Sequence, residues 1–383
     1  MPILTAIEET LDTLDTKISW QDIAKAAGIT KSALSHFKKD GTELKFPTLL
    51  KVAKFLFKND YFQTFKAWCL HLNGPKNIRF ALEYLAVNRQ TEELRLLIDK
   101  IYKMFPTRDL IDWAECYTIL LDYYNGVNIS EVMNKLRLYS PKSTETKILS
   151  SIIEVYCKNK SREYNSMQSL ILGLEDSIKE IKEEYIRESF ELRLNEILAY
   201  INLYRLNKHE VARFHAEKII SSDICATLSA SAYYIVGMSY LFSNYDECLG
   251  NILRYRDLLV ELGREAGLLE VVNNDLPFIN NVWNRHTERP KTNDISEIAH
   301  YEAVRGNGAE ALSLIEKVIK EKGENGFKLY YKALATNDNA LHLQSLIYFS
   351  KKGDMLYANL PYRYLKDDAT FAPMAEMLMN NEI

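Results

Sequence analysis

The stretch SWQDIAKAAGITKSALSHFKK, Ser19 to Lys39, decides how the front of this chain folds. Counted from Trp20, Ile23 and Ala24 fall where the first helix of a helix-turn-helix must be apolar and then small, so that a second helix crosses close to it. Gly28 stands at the turn, where a left-handed backbone costs glycine nothing. Ile29, Leu34 and Phe37 then supply the apolar positions that lock the second helix down. Ser19 with Asp22 three residues on, and Thr30 directly after the turn, are start signals for the two helices. With the second helix expected over about Lys31 to Phe37, the residues facing away from Leu34 and Phe37 are Lys31, Ser32, Ser35 and His36, with Thr30 at its start and Lys39 just beyond. Short hydrogen-bonding side chains and cations suit base edges and phosphates in a major groove, so these six are the candidate DNA contacts. A plain helical hairpin with a polar face shares the apolar spacing, but not its coincidence with the glycine, both caps and a cationic outer face.

Charge is placed to match. The whole chain of 383 residues carries a net charge of −4, yet from Lys17 to Lys58 nine lysines face only Asp22, Asp40 and Glu43, which makes that segment +6 and the remainder −10. A cationic head on an acidic body fits a protein of which only the head meets phosphate. Five scattered cysteines with no C-x-x-C pair point to reduced thiols and not to a disulfide framework or a zinc site. The acidic start MPILTAIEETLDTLD is no signal peptide, and no apolar run approaches the roughly 20 residues that span a bilayer. The chain is expected to remain in the cytoplasm.

Around the motif, residues 3 to 16 carry Ile3, Ile7, Leu11 and Leu14 at helical spacing and predict a helix packed on it. Asp40 and Gly41 predict a loop. Phe46 and Pro47 open another helix that buries Leu49, Leu50, Val52, Ala53, Leu56 and Phe57, and Tyr61 to Leu72 closes a five-helix module. Asn73, Gly74 and Pro75 form the first strong break, so the expected domains are 1–73, the DNA-binding head, and 74–383.

Beyond that break the pattern is all-α. Glu92 to Phe105, Leu110 to Tyr124, Thr144 to Lys158 and Glu183 to Leu206 place apolar residues at three- and four-residue spacing, and no proline occurs between Pro141 and Pro277. The helices pair with a weak period of the tetratricopeptide kind, in which a small residue, another twelve on and a bulky one four further let two antiparallel helices pack closely. Ala299, Ala311 and Ile315 fit it, as do Ala333, Ser345 and Phe349. Tyr233, Val236, Gly237 and Tyr240 match a first helix, but Leu249 replaces the expected small residue. Such stacked pairs curve into a superhelix whose concave face holds extended peptides or partner segments.

Catalytic patterns are missing. There is no H-E-x-x-H, no G-x-S-x-G and no Walker loop, and His209 with His215 do not share a helical face. Gly306-Asn307-Gly308-Ala309-Glu310-Ala311 spells a dinucleotide fingerprint but joins two expected helices, and is read as a repeat turn. Neither an enzyme nor a cofactor is expected.

With a helix-turn-helix before degenerate helical repeats, the chain resembles the peptide-responsive regulators of Gram-positive bacteria and their phages, and within them the arbitrium receptors (AimR) of temperate phages. The resemblance rests on WQDIAKAAG, KAWCLHL followed by FALEYL, LFSNYD (241–246), FINNVWN (278–284) and YFSKKGDMLYANLP (348–361), in the family's order. It implies a homodimeric activator on a two-part DNA operator, promoting a regulator of the lysis-lysogeny decision, and a short secreted phage peptide that binds the repeats and stops activation. Its peptide contacts map onto Glu297, Asp354 and Asn325. Tyr200 and Tyr204 stand where relatives carry asparagines, and Thr227 where one carries an arginine, which leaves the peptide's identity open. Two rivals remain at this level: a helix-turn-helix repressor sensing a protein partner, and a helical-repeat scaffold or inhibitor of signalling proteins that ignores DNA.

Overall fold

The computed structural model describes residues 2–13, 18–161, 164–222, 224–285 and 288–380, and every regular element among them is helical. Leu14, with the end of the helix expected over residues 3 to 16, lies outside the described residues. The chain divides into two compact units, one of Met1–Leu194 with Ile224–Leu228, the other of Asn195–Asp223 with Ser229–Ile383.

The first unit begins with α1 (Pro2–Thr13), α2 (Trp20–Ala27), α3 (Lys31–Asp40), α4 (Phe46–Phe57), α5 (Tyr61–Cys69) and α6 (Pro75–Val87). Helix α2 starts with a complete capping box: the Ser19 hydroxyl accepts from the Asp22 amide, and the Asp22 carboxylate accepts from the Ser19 amide at 2.8 Å. It ends at Gly28, whose φ of 68° is the left-handed turn expected there. Ile23, Ala27 and Phe37 are buried, as are Ile3 and Ile7 of α1. Helix α3 runs on through Asp40 and stops at Gly41 in a second left-handed turn, so the loop expected at Asp40 begins one residue later.

At the expected boundary, Asn73 to Pro75, the chain is fastened. The Glu43 carboxylate accepts from the amides of Asn73 (2.8 Å) and Gly74 (3.2 Å) and from the Asn77 side chain (2.5 Å). Asn77 in turn accepts from the Phe46 amide at 2.8 Å and donates to the Leu44 carbonyl. The Phe46 ring meets Phe65, Phe80, Tyr84 and Tyr185 at 5.1–5.9 Å. The head helices and those that follow thus share one core within this unit.

The same unit continues through α7 (Thr91–Met104), α8 (Arg108–Tyr124), α9 (Ile129–Leu138), α10 (Thr144–Ser161) and α11 (Tyr164–Lys179) into the first half of α12 (Glu184–Tyr204). Its centre holds a wholly buried ion pair. Arg193 gives Glu83 two bonds, at 2.8 and 3.0 Å, and Tyr117 (2.7 Å) and Ser189 donate to the same carboxylate. All the lone pairs that matter are engaged, which is the condition under which a buried pair is tolerated.

The second unit holds α13 (His209–Ile220), most of α14 (Ala226–Ser239), α15 (Tyr245–Glu261), α16 (Glu265–Glu270), α17 (Leu276–Val282), α18 (Ile295–Val304), α19 (Gly308–Lys322), α20 (Gly326–Thr336), α21 (Asn339–Lys352), α22 (Met355–Leu365) and α23 (Ala372–Met379). In the pairs α18–α19 and α20–α21, Ala299, Ala311, Ile315, Ala333, Ser345 and Phe349 are all buried at the helix crossings. The degenerate copy is explained by its loop. A methyl group on Gly237 would lie 2.9 Å from Ile252 and 3.1 Å from the Cys248 carbonyl, so buried Cys248, one residue before Leu249, takes the small position. The Gly306–Ala311 letters join α18 to α19, and a methyl on Gly308 would come 2.3 Å from the Ala335 carbonyl oxygen. That glycine answers to helix packing.

Arg193→Ala leaves a buried carboxylate without its counter-charge and should cost about 3–5 kcal/mol. The loss is read as a lower urea midpoint, and Glu83→Leu combined with Arg193→Met should recover much of it.

Candidate nucleic-acid and ligand sites

Of the six candidate DNA contacts, Thr30 caps α3 by accepting from the Ala33 amide at 3.2 Å, and Lys31, Ser32, Ser35, His36 and Lys39 are all exposed along it. Phe37 is buried and meets Trp20 at 6.3 Å, which fixes the rotation of the helix and so the direction of that face. Lys38 is drawn off it, its ammonium 4.7 Å above the Trp20 ring. The His36 Nδ1 lies 2.7 Å from Asp40 one turn on. That contact orients the imidazole and commits one of its two nitrogens, a feature the sequence spacing did not reveal. The open amides at the start of α3 and the ammonium of Lys31 suit a phosphate, and the serines and His36 suit base edges.

In the second unit a cavity of about 310 Å³ opens between α14, α18, α20 and α22, walled by Tyr234, Phe278, Phe327, Tyr331 and Tyr357. Four acids line it, Glu270, Asp275, Asp294 and Glu297, against the one cation Lys328, whose ammonium donates to the Gly323 carbonyl. Two of the acids have structural duties. Asp294 caps α18, and Glu297, almost wholly buried, is held by the Tyr331 hydroxyl at 2.6 Å, the Asn281 amide at 3.1 Å and His300 Nδ1 at 3.3 Å. His300 stacks on Tyr331 at 4.2 Å, and burial lowers its pKa.

Asp275 differs. It ends a π-helical turn, Val271–Asp275, in which the Leu276 amide reaches back five residues to Val271. Pro277 supplies the cause. It has no N–H to offer the Asn273 carbonyl, which the Thr292 hydroxyl takes instead, and the helix adapts with a wider turn. The Asp275 carboxyl receives a hydrogen bond from the Tyr234 hydroxyl at 3.2 Å. Burial pushes its pKa up to about 7, and neighbouring Glu270 and Glu297 push the same way.

Of the expected peptide contacts, Glu297 and Asn325 line this cavity, Asn325 also capping α20. Tyr200 and Tyr204 meet at 4.7 Å, and Tyr204 reaches Tyr357 of the cavity wall at 5.9 Å. Asp354 is already paired: Arg205 lies 3.0 Å from it and also donates to the carbonyls of Lys352 and Gly353. Thr227 belongs to the first unit, where its hydroxyl donates to the Asn88 carbonyl. Asp275, Tyr234 and Tyr331 were not singled out from the sequence, whose one available signal was Pro277 behind the polar run Asn273–Asp275.

A helix-turn-helix head followed by paired helices is the architecture of a transcription regulator. The chain belongs to the AimR transcriptional regulator-like family, whose model matches residues 62–367, while a helix-turn-helix model matches 16–59. It is 24% identical over 346 residues to the AimR transcriptional regulator of Bacillus phage SPbeta, covering 88% of each chain, and 24% identical to that of phage phi3T, covering 83% of this chain and 85% of the other. A solved structure of selenomethionine phAimR shares its fold with a TM-score of 0.78 at 22% identity over 98% of this chain and all of that one. A ligand-bound phAimR structure matches at 0.69, with 23% identity over 85% and 97%. No helix among the described residues is long and apolar enough to cross a membrane.

Asp275 keeps its proton in the folded protein at pH values where the unfolded chain has lost it, so its contribution to stability falls as pH rises from about 4 to about 7 and is then constant. Asp275→Asn removes that loss, on the order of 4 kcal/mol at pH 8. The difference in Tm between variant and parent should therefore grow between pH 5 and pH 7 and level off above it.

Proposed function

We propose that the chain is a peptide-regulated DNA-binding activator, a homodimer in the host bacterial cytoplasm that controls a phage's decision between lysis and lysogeny. Residues 1–73 act as the DNA-binding head and 74–383 as the TPR-like peptide-binding and dimerisation part. Two heads held at a fixed separation read the two half-sites of an operator, with Thr30, Lys31, Ser32, Ser35, His36 and Lys39 on the DNA. A short communication peptide seated at Glu297 and Asn325, with Tyr200, Tyr204 and Asp354 contributing, changes that separation or its flexibility.

The observation that carries this reading is the combination, within one member of the family, of an exposed cationic recognition helix and an acidic, aromatic-walled cavity. About 310 Å³ is at the small end of ligand pockets, enough for one or two side chains of a peptide. The acid excess favours a peptide with a basic group. Asp354 joins only by exchanging its Arg205 partner for that group, whereas Glu297 offers charge inside the cavity without such an exchange.

The test is a mobility shift with DNA flanking the gene, at two salt concentrations, with and without synthetic hexapeptides encoded beside it. Specific binding released by one hexapeptide supports both halves; specific binding that no peptide alters favours the protein-sensing repressor, and none at either salt favours the scaffold. Lys31→Ala and Lys39→Ala should each weaken operator binding and reduce the slope of log affinity against log salt by about one; an unchanged slope removes these lysines from the interface. Glu297→Gln should leave operator affinity intact while raising the peptide concentration needed for release roughly ten- to hundredfold.

A further inference from the structure

We propose that Asp275 makes the cavity a proton-coupled cation site, in which a guanidinium or ammonium group of the ligand enters as the Asp275 carboxyl releases its proton. This rests on the reading of the cavity as the ligand site. The O–H bond of the carboxyl breaks, the proton passes to solvent, and the carboxylate left behind pairs with the incoming cation, so the net charge inside the cavity is the same before and after.

Three observations carry it. Asp275 and Glu297 line the same cavity but are held differently: Glu297 has three donors, Tyr331, Asn281 and His300, while among the described residues the Asp275 side chain has the single donor Tyr234. Glu297 is therefore well supplied with hydrogen bonds without a ligand, whereas a charge on Asp275 has one hydroxyl to meet it until a cation arrives. The groups facing Asp275 are acids or weakly acidic neutral groups on every side: Tyr234 on α14, Cys248 and Tyr255 on α15, Glu270 on α16, Glu297 on α18 and Tyr357 on α22. Lys328, the one cation lining the cavity, is spent on the Gly323 carbonyl. Finally, the walls are aromatic, so an entering cation finds ring faces beside the carboxylate.

The ordinary linkage follows. Below the titration of Asp275 a cation must displace a proton, and its affinity rises up to tenfold per pH unit; above it the affinity levels off. A neutral ligand of the same shape gains nothing.

The experiment follows the aspartate side-chain carboxyl resonances of full-length protein labelled with ¹³C at that carbon, between pH 5 and 9. Probes are butylguanidinium, butylammonium and, as the neutral isostere, butylurea. One resonance, missing from Asp275→Asn, should titrate near neutrality. Butylguanidinium or butylammonium should move that midpoint down by a unit or more, whichever moves it further identifying the cation type, and butylurea should not move it. Tyr234→Phe, which removes the donor and keeps the ring, should move it up and serves if the Asn variant does not fold. Titration of Asp275 in the usual carboxylate range, or a midpoint indifferent to both cations, overturns the proposal. The two readings fail separately: a midpoint that responds to butylguanidinium in a protein released from DNA by no hexapeptide sinks the receptor reading alone, and a hexapeptide that releases DNA without moving the midpoint sinks the coupling alone.

Discussion

The Glu43 carboxylate is the constraint on which the front of the molecule depends. A helix start leaves amides without intrahelical acceptors, and ahead of α6 the amides of Gly74, its N-cap, and of the preceding Asn73 turn to Glu43, which lies thirty positions before Asn73 in the loop between α3 and α4. Asn77 closes the ring by binding Glu43, the Leu44 carbonyl and the Phe46 amide together. The starts of α4 and α6 therefore form as one unit, and the Phe46 ring is placed among Phe65, Phe80, Tyr84 and Tyr185 as a consequence. Charge-assisted bonds of this kind contribute about 1.5–3 kcal/mol each. A head swinging freely about Asn73 to Pro75 would have to break several at once. Whatever repositions the recognition helix has to move it with the helices around α6.

The helix-turn-helix was legible because everything that defines it lies within about twenty residues: two caps, one left-handed glycine and apolar positions whose spacing is set by the helix itself. The pairs around Ala299 and Ala333 were legible for the same reason, since a close crossing demands small residues at fixed offsets. The break between helices at Asn73 to Pro75 was legible, but not its fastening, because Glu43 gives no local sign of where its side chain goes. Glu83 and Arg193, 110 positions apart, and Arg205 and Asp354, 149 apart, meet only through tertiary packing. The cavity is of that kind as well. Glu297 and Asn325 reached it through family resemblance, while Asp275, Tyr234 and Tyr331 come from three separate helical segments and share no spacing that a single sequence displays.

Three carboxylates show how one physical cost, taking charge out of water, is met in three ways. Glu83 is offset by a buried guanidinium and stays an ion pair. Glu297 is offset by neutral donors from Tyr331 and Asn281 and by His300, whose own pKa is lowered by burial, so it holds its place without a full counter-charge. Asp275 has the Tyr234 hydroxyl and acidic neighbours, and its proton is the remaining way to lower the cost. The first arrangement resists change and the third invites it, which places adaptability at the cavity and rigidity under the head.

The tyrosines carry the argument from charge to selectivity. Tyr204 is buried and Tyr357 half-buried, and desolvation pushes both hydroxyls up in pKa, so they remain neutral. An asparagine presents a donor and an acceptor side by side and matches a peptide backbone; a phenol presents one hydroxyl and a flat apolar face. On the proposed reading, Tyr200 and Tyr204 in place of two amides trade backbone matching for contact area. Both changes shift recognition away from the main chain of a peptide toward its side chains, while the acids around Asp275 and Glu297 keep the demand for a basic group. A receptor altered in this direction discriminates against its relatives' peptides by what it no longer satisfies, since each buried amide of a foreign peptide that loses its partner costs more than the lost bond alone.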